Sequence, residues 1–468
     1  MTPWQQFYNR VKDPSWPSCE REEYFVNLPE HIQKECIEVH GYTVGEYKHQ
    51  PAMIQKKFPI ESKTSCQLKW NWSTVYLTTE HTASCHRTNH HKFDTDSFDF
   101  HNTPSKIDDR EKMLQGMWPK KGCDYCKKIE DSGGQSDRIT NLNMAGIHSP
   151  PEIDDDNKTA VNVTPRILEV YFDNTCNLKC VYCGSHFSSL WDKENTKFGE
   201  FEQNGVEIPG PFLKSSKIDE NTKKIFEWLK VNGQSLTNFN ILGGEPLYQT
   251  QFDQCLEFFW HYPAPLLDLQ IFTNLNVPLK KVESTIEKTR QLREAGKIKK
   301  FTITASLDCW GESQEYARYP LDLVIWERNF ERLLEEAWIK LVIGSTITPL
   351  TIKTLPDLIK KINKWNHIRP VYQYFNSVDR PEYMNIDMFG DLFQNDFNKA
   401  VKEYSMCPTR TENAKKYLQG IATQSKHTGI NKKLILKLKT FLDELDRRRK
   451  TDWRETFPWL IGPIEKNT

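Results

Sequence analysis

Three cysteines, Cys176, Cys180 and Cys183, stand close together in the stretch NTCNLKCVYCG (174–184). Three thiols cannot pair off among themselves as disulfides. Their x3 and x2 spacings let a short loop fold its thiolates around one small object. A structural zinc closes its shell with four ligands, so a zinc knuckle here needs a remote His or Cys. On a cubic iron–sulfur cluster, three thiolates leave one iron open. An open iron is a place where a substrate or cofactor can chelate. The spacing alone admits both readings.

Four more cysteines form a second constellation: Cys66 in SCQLKW, Cys85 in TASCHR, and Cys123 and Cys126 in KKGCDYCKKIE. Four thiolates close a site fully. A zinc ion held by all four and a four-cysteine [4Fe–4S] cluster compete, and spacing does not choose. His86, His90 and His91 crowd Cys85 and are alternative ligands or neighbours of the site.

The composition bounds the rest. At 468 residues, the chain is long enough for two or three domains and a sizeable core. Lys plus Arg and Asp plus Glu both number 63, which gives no support for an overall polyanion or nucleic-acid binder. Aromatic content of 12% argues against disorder. No apolar stretch reaches bilayer length, and MTPWQQFYNRVKDPSW lacks the apolar centre of a secretory signal. The expected location is the cytoplasm, where disulfides are rare. Clustered cysteines there ask for a metal. The other five, Cys19, Cys36, Cys255, Cys309 and Cys407, read as buried free thiols.

The elements that must position these residues follow from the pattern. Residues 1–150 are rich in His, Cys and Trp and read as a cysteine-rich α+β unit. Residues 151–165 lie in a Pro-rich, acidic stretch that reads as a linker. From 166, short apolar runs alternate with amphipathic stretches. Strands are expected at 166–172, 237–244, 267–274, 299–308, 339–348 and 368–378, with helices between them. That alternation predicts an α/β fold with a parallel sheet, an open (β/α)6 partial barrel over 166–390. Residues 391–468 read as a C-terminal helical extension. In such sheets, active residues gather at the carboxyl ends of strands. The runs NKKLILKLKT and LDRRRK read as solvated helix surface.

The chain resembles the radical S-adenosylmethionine (radical SAM) family. Cys176, Cys180 and Cys183 carry the resemblance, with the aromatic Tyr182 before the last cysteine. The second carrier is LGGEP (242–246), similar to the family's G-G-E-P motif, which approaches the methionine amino group of SAM. The resemblance implies that Gly243 and Gly244 admit close backbone approach to a ligand. It implies that Glu245, beside Pro246, offers a carboxylate to an ammonium. Thr273 and Asn274 stand where the family often shows T-N-G, with Leu275 in place of the glycine. Ser306 and Asp308, in SLD, fall where the family contacts the cofactor's ribose or carboxylate. Arg318, in EYARYP, resembles an arginine that pairs with the SAM carboxylate. The resemblance covers about 166–380, close to half the chain.

What it implies is a [4Fe–4S] cluster on the three cysteines and SAM chelating the open iron. An electron would come from an external one-electron donor such as flavodoxin or ferredoxin. Reductive cleavage would give methionine and a 5′-deoxyadenosyl radical, which abstracts hydrogen from a substrate. The stretch CQLKWNWSTVYLTTEHTASCH is also similar to the hairpin of a twitch (shortened SPASM) module, which implies an auxiliary [4Fe–4S] cluster on Cys66, Cys85, Cys123 and Cys126. WPKKGCDYCKKIEDSGGQSDR and FLDELDRRRKTDWRETFPWL resemble segments of phage and bacterial proteins of that group. In most relatives, the auxiliary module follows the catalytic unit; here it comes first. Such modules often accompany peptide modification, so a peptide or protein side chain is the expected substrate class. Two other functions compete: a non-catalytic zinc or iron–sulfur binding interaction protein, and a radical SAM enzyme acting on a nucleotide or cofactor precursor. Cys309, Tyr316 and Cys407 are further candidates near the site, more readily explained by packing. No G-x-S-x-G, phosphate loop or H-E-x-x-H is present.

Overall fold

A computed structural model describes residues 64–85, 88–119, 122–131, 136, 138–139, 162–201 and 215–467. The expected linker at 151–165 lies mostly outside them, as do Cys19, Cys36 and His86. Among the described residues, one sheet of nine strands organises the molecule, in the order β3-β2-β1-β4-β5-β6-β7-β8-β9. After a short helix α1 (Leu68–Asn71) come β1 (Trp72–Tyr76), β2 (His81–Ala83) and β3 (His91–Lys92). Helices α2 (Pro104–Leu114) and α3 (Asp124–Asp131) precede β4 (Ile167–Tyr171). The later strands are β5 (Asn238–Leu242), β6 (Ala264–Thr273), β7 (Ile298–Ser306), β8 (Ile339–Ile347) and β9 (Val371–Ser377).

The six strands expected from 166 onward are β4 to β9, and they pair in parallel, each with the next. One parallel pairing was not foreseen. Strand β1 lies in parallel register against β4, Trp72 opposite Ile167 through Tyr76 opposite Tyr171. The N-terminal cysteine-rich segment therefore shares its sheet with the segment that carries the three-cysteine loop. Strands β1 and β2 form the expected antiparallel hairpin, Tyr76 opposite His81.

Alternation along the strands separates two faces. Leu168, Val170, Phe239, Ile241, Leu269, Ile271, Phe301, Ile303, Leu341 and Ile343 are fully or nearly fully buried in the main core. The other face carries a polar row in register across six strands: Thr74, Glu169, Asn240, Gln270, Thr302 and Lys340. Strands buried on both faces read as continuous apolar runs. The polar row is bonded within itself: Thr74 Oγ1 donates to Glu169 Oε2 at 2.8 Å and Asn240 Nδ2 donates to Glu169 Oε1 at 3.3 Å.

Helix α4 (Ser189–Phe198) follows the three-cysteine loop. Ser188 caps it by accepting from Trp191 N–H at 3.2 Å, and Gly199 ends it at a φ of 86°. Helices α5 (Ser215–Asn232), α6 (Thr250–His261) and α7 (Leu279–Glu294) then alternate with β5 and β6. A short α8 (Glu312–Ala317) and α9 (Leu323–Leu334) follow β7, and α10 (Leu355–Trp365) follows β8. After β9 come α11 (Gln394–Ser405), α12 (Glu412–Thr428) and α13 (Lys432–Arg449). No helix among the described residues is long and apolar enough to cross a membrane.

Candidate functional site

Four of the five motif segments follow the carboxyl ends of adjacent parallel strands. The cysteine loop leaves β4, LGGEP leaves β5, Thr273–Asn274 closes β6 and Ser306 closes β7. Their order in the sheet makes them neighbours. One cavity collects Cys176, Cys180, Cys183, Tyr182, Gly243 and Gly244, with Asn274, Ser306 and Arg318 also on its lining. Glu245, Pro246, Thr273 and Asp308 are not on that lining; they lie buried behind it.

The two glycines have a reason the sequence did not show. Gly244 N–H donates to Asp173 O at 2.9 Å, and Glu245 N–H donates to Thr175 O at 2.8 Å. A Cβ on Gly244 would lie 2.1 Å from Thr175 O, and one on Gly243 would lie 2.4 Å from Asp173 O. Gly243 also has a φ of 131°, in the region that favours glycine. The close partner is therefore the backbone leading into the cysteine loop. The two loops are locked together, and glycine permits it.

Glu245 works beneath this lock. Its Oε1 accepts from Thr273 Oγ1 at 2.7 Å and Leu247 N–H at 3.0 Å. Its Oε2 accepts from Asn274 N–H at 2.6 Å. The carboxylate is fully buried, and burial pushes its pKa up to about 7 despite these donors. It ties the ends of β5 and β6 together. Leu275, which stands in place of the glycine of a T-N-G motif, adopts a φ of 57° and is 1% exposed. A left-handed conformation costs a non-glycine residue about 1–2 kcal/mol. Burying a leucine contributes about 1.5–3 kcal/mol. Burial wins, and the turn is kept without glycine.

Asp308 is engaged on every side. Arg318 donates to it through Nε and Nη2, both at 2.9 Å, Tyr182 through its hydroxyl at 2.6 Å, and Thr346 N–H at 2.9 Å. The bidentate clamp leaves Arg318 Nη1 for the cavity, 4.0 Å from Cys180 Sγ. Cys176 Sγ receives N–H groups from Leu178 at 3.5 Å and Asn274 Nδ2 at 3.9 Å. Burial pushes the Cys176 thiol up to about 12, and it raises Cys180 and Cys183 as well.

Several functional neighbours escaped the sequence. LDRRRK reads as exposed helix surface, yet the Arg448 and Arg449 side chains are almost wholly buried, while Arg447 and Lys450 are exposed. Arg449, the last residue of α13, pairs with Glu194 at 3.2 Å, and Lys179 of the cysteine loop pairs with the same carboxylate. The Arg449 guanidinium lies over the Trp191 ring, 4.6 Å from its centroid. Trp191 Nε1 donates to Cys180 O at 2.9 Å. The signal was a basic helix end in a chain with many buried aromatics, and sequence could not say which arginine turns inward. Cys309 and Cys407 are buried away from the cavity, and Tyr316 donates to Asp446 at 2.8 Å.

The second constellation also comes together. Cys66, Cys85, Cys123 and Cys126 line one cavity with Lys69 and Arg138. Lys69 is paired with Asp109 and Arg138 with Glu130. Burial pushes the Cys123 thiol up to about 12 and raises Cys66 above the usual thiol range. His90 and His91 are not on the lining; they bond Tyr76 and Thr103. None of the seven clustered cysteines is in a disulfide. Among the described residues, no group of three or more His, Cys, Asp or Glu side chains stands close enough to hold a single metal ion.

No known family's sequence profile matches this chain, and no curated protein matches it in sequence. Among solved structures it is similar to native anSMEcpe with bound AdoMet and Kp18Cys peptide, at 16% identity and a TM-score of 0.33. That match covers 51% of this chain and 59% of the other. At this level the likeness carries no assignment.

Proposed function

We propose that this chain is a radical SAM enzyme built on a partial (β/α)6 barrel over 166–390, with Cys176, Cys180 and Cys183 holding a [4Fe–4S] cluster. One observation carries the reading: three thiols, a double-glycine turn and an arginine with one unclamped amino group share a single cavity at the carboxyl ends of four parallel strands. The donor set fits such a cluster. Burial raises all three thiols, and ligation to iron would stabilise their thiolates. N–H groups from Leu178, Asn274 and Arg318 already face two of the sulfurs.

With cluster and SAM bound, the site has the means for one-electron reductive cleavage of the sulfonium and for hydrogen abstraction. The chain's own residues bind and orient. Arg318 presents Nη1 as a donor to a carboxylate, held in place by Asp308. Ser306 and Asn274 offer polar contacts on the lining. Gly243 and Gly244 expose backbone beside the cysteine loop. Tyr182 walls the site and stays in place through Asp308. The polar row from Thr74 to Lys340 lies on the other face of the same strands, with Thr74, Glu169, Asn240 and Thr302 buried; a peptide or protein side chain is the substrate class this reading favours.

The cavity lined by Cys66, Cys85, Cys123 and Cys126 suits an auxiliary [4Fe–4S] cluster. On a cube each thiolate holds a different iron, so the ligands ring a cavity; four ligands of one zinc converge on a point. The whole chain would draw its electrons from an external one-electron donor.

The test is reductive SAM cleavage by anaerobically reconstituted protein. Wild type should form 5′-deoxyadenosine with dithionite or reduced flavodoxin, and the variant with Cys176, Cys180 and Cys183 all changed to Ala should form none. Retained product in that variant would overturn the assignment.

A further inference from the structure

Lys106 on α2 is 1% exposed. Its ammonium donates to Ser73 Oγ and Thr82 Oγ1 at 2.7 Å, to Phe100 O at 2.8 Å and to Ala83 O at 3.1 Å. All four acceptors are neutral. Lysine is almost never fully buried unless paired, and an uncompensated buried charge costs several kcal/mol. Its neighbours worsen the balance. Burial first, then Arg110 and Lys69, push its ammonium well below the usual lysine range.

The carboxylates around it are used elsewhere. Asp109 pairs with Lys69 and Glu130 with Arg138. Asp99 accepts from the backbone of His101 and Asn102 and helps Lys106 only at longer range. What remains is sulfur. Ala83 O accepts from Lys106 at 3.1 Å, and the next two residues, Ser84 and Cys85, line the cavity of the four cysteines. One residue, Ser84, separates Ala83 from Cys85. Four thiolates around a dication carry about two surplus negative charges, and a cubic cluster on four thiolates is anionic too. Lys69 and Arg138 on the lining are matched by Asp109 and Glu130, whereas Lys106 bonds only neutral acceptors among the described residues; thiolates that bind metal would supply it with opposite charge.

We propose that Lys106 is the counter-charge of an iron–sulfur cluster held by Cys66, Cys85, Cys123 and Cys126, and that it raises the reduction potential of that cluster. The inference rests on the reading of that cavity given above. A buried cation favours the more negative, reduced form, and the dry surroundings leave its field unscreened. Lys106 touches no ligand directly; it is a positioning charge, delivered through Ser73, Thr82 and the β2 backbone.

The full chain with Cys176, Cys180 and Cys183 changed to Ala keeps the N-terminal cavity as its cluster site. After anaerobic reconstitution, iron and sulfide analysis comes first. Protein with no iron there overturns the cavity reading and this proposal with it. In cluster-bearing protein, an EPR-monitored redox titration compares the parent with Lys106→Met, Lys106→Arg and Ser73→Asp. Lys106→Met removes the charge. Ser73→Asp sets a carboxylate between Lys106 and His101, which lies 2.9 Å from Ser73 Oγ, and cancels the charge without touching the lysine. It decides the question where Lys106→Met does not fold. The expected result is a more negative midpoint potential in Lys106→Met and Ser73→Asp, and a retained one in Lys106→Arg. An unchanged midpoint in both charge-cancelling variants overturns the role of Lys106 while leaving the cavity's cluster in place.

Discussion

Glu245 is a carboxylate kept where water cannot reach it. Three donors favour its ionised form, yet burial outweighs them and raises its pKa to about 7. Between the usual carboxylate range and about pH 7, the folded chain holds a proton that the unfolded chain has released. The stability this group contributes is therefore fully present below the unfolded pKa and lost as pH rises to about 7. Glu245→Gln removes the titration and leaves an acceptor for Thr273. Chemical denaturation from about pH 5 to about pH 7 should show wild type losing stability relative to Glu245→Gln; parallel curves would contradict the shift. This role was only half legible. The GGEP string pointed to the right loop, but a carboxylate aimed at a ligand and one pinning two strand ends share the same letters. The partners of Glu245 at Thr273 and Asn274 come from 28 and 29 residues along the chain, and spacing cannot show that contact.

At the level of elements, the lock between the β5 turn and the cysteine loop has no slack. Gly244→Ala would drive a methyl into Thr175 O. Overpacking of this kind costs about 1–3 kcal/mol, and the cysteine loop is the part able to shift. The variant should lose that much stability and hold less iron after reconstitution, read by denaturation and iron analysis; wild-type values in both would refute the lock. Arg449 fastens α13 to the same loop through Glu194 and Trp191. Arg449→Ala should cost about 1–3 kcal/mol, below the full cost of breaking a buried pair, because Lys179 still pairs with Glu194. Six parallel strands and the helices between them could be read from alternating apolar runs, because each of those elements is local. Strand β1 was readable as half of a hairpin, but its pairing with β4 joins residues 95 positions apart, and no periodicity announces a partner at that distance.

Across the whole molecule, two cysteine groups flank one pair of strands. Cys66 precedes β1 and the three-cysteine loop follows β4, and the two strands run parallel. Five residues at about 3.3 Å each put those ends roughly 17 Å apart along the sheet. Reconstituted wild type should carry about eight irons, two cubic clusters' worth. Changing Cys66, Cys85, Cys123 and Cys126 together to Ala should lower this to about four. A wild-type content of about four irons and one zinc would assign the N-terminal cavity to zinc instead.

If Cys176, Cys180 and Cys183 hold a [4Fe–4S] cluster, SAM bound in their cavity would ligate it. Electron–nuclear double resonance on the reduced protein tests this directly, using SAM labelled with ¹⁵N at the amino group and ¹⁷O at the carboxylate. Both labels should show hyperfine coupling to the cluster in wild type and in the variant lacking the four N-terminal cysteines. A reduced cluster that shows no coupling to either label with SAM bound would contradict it.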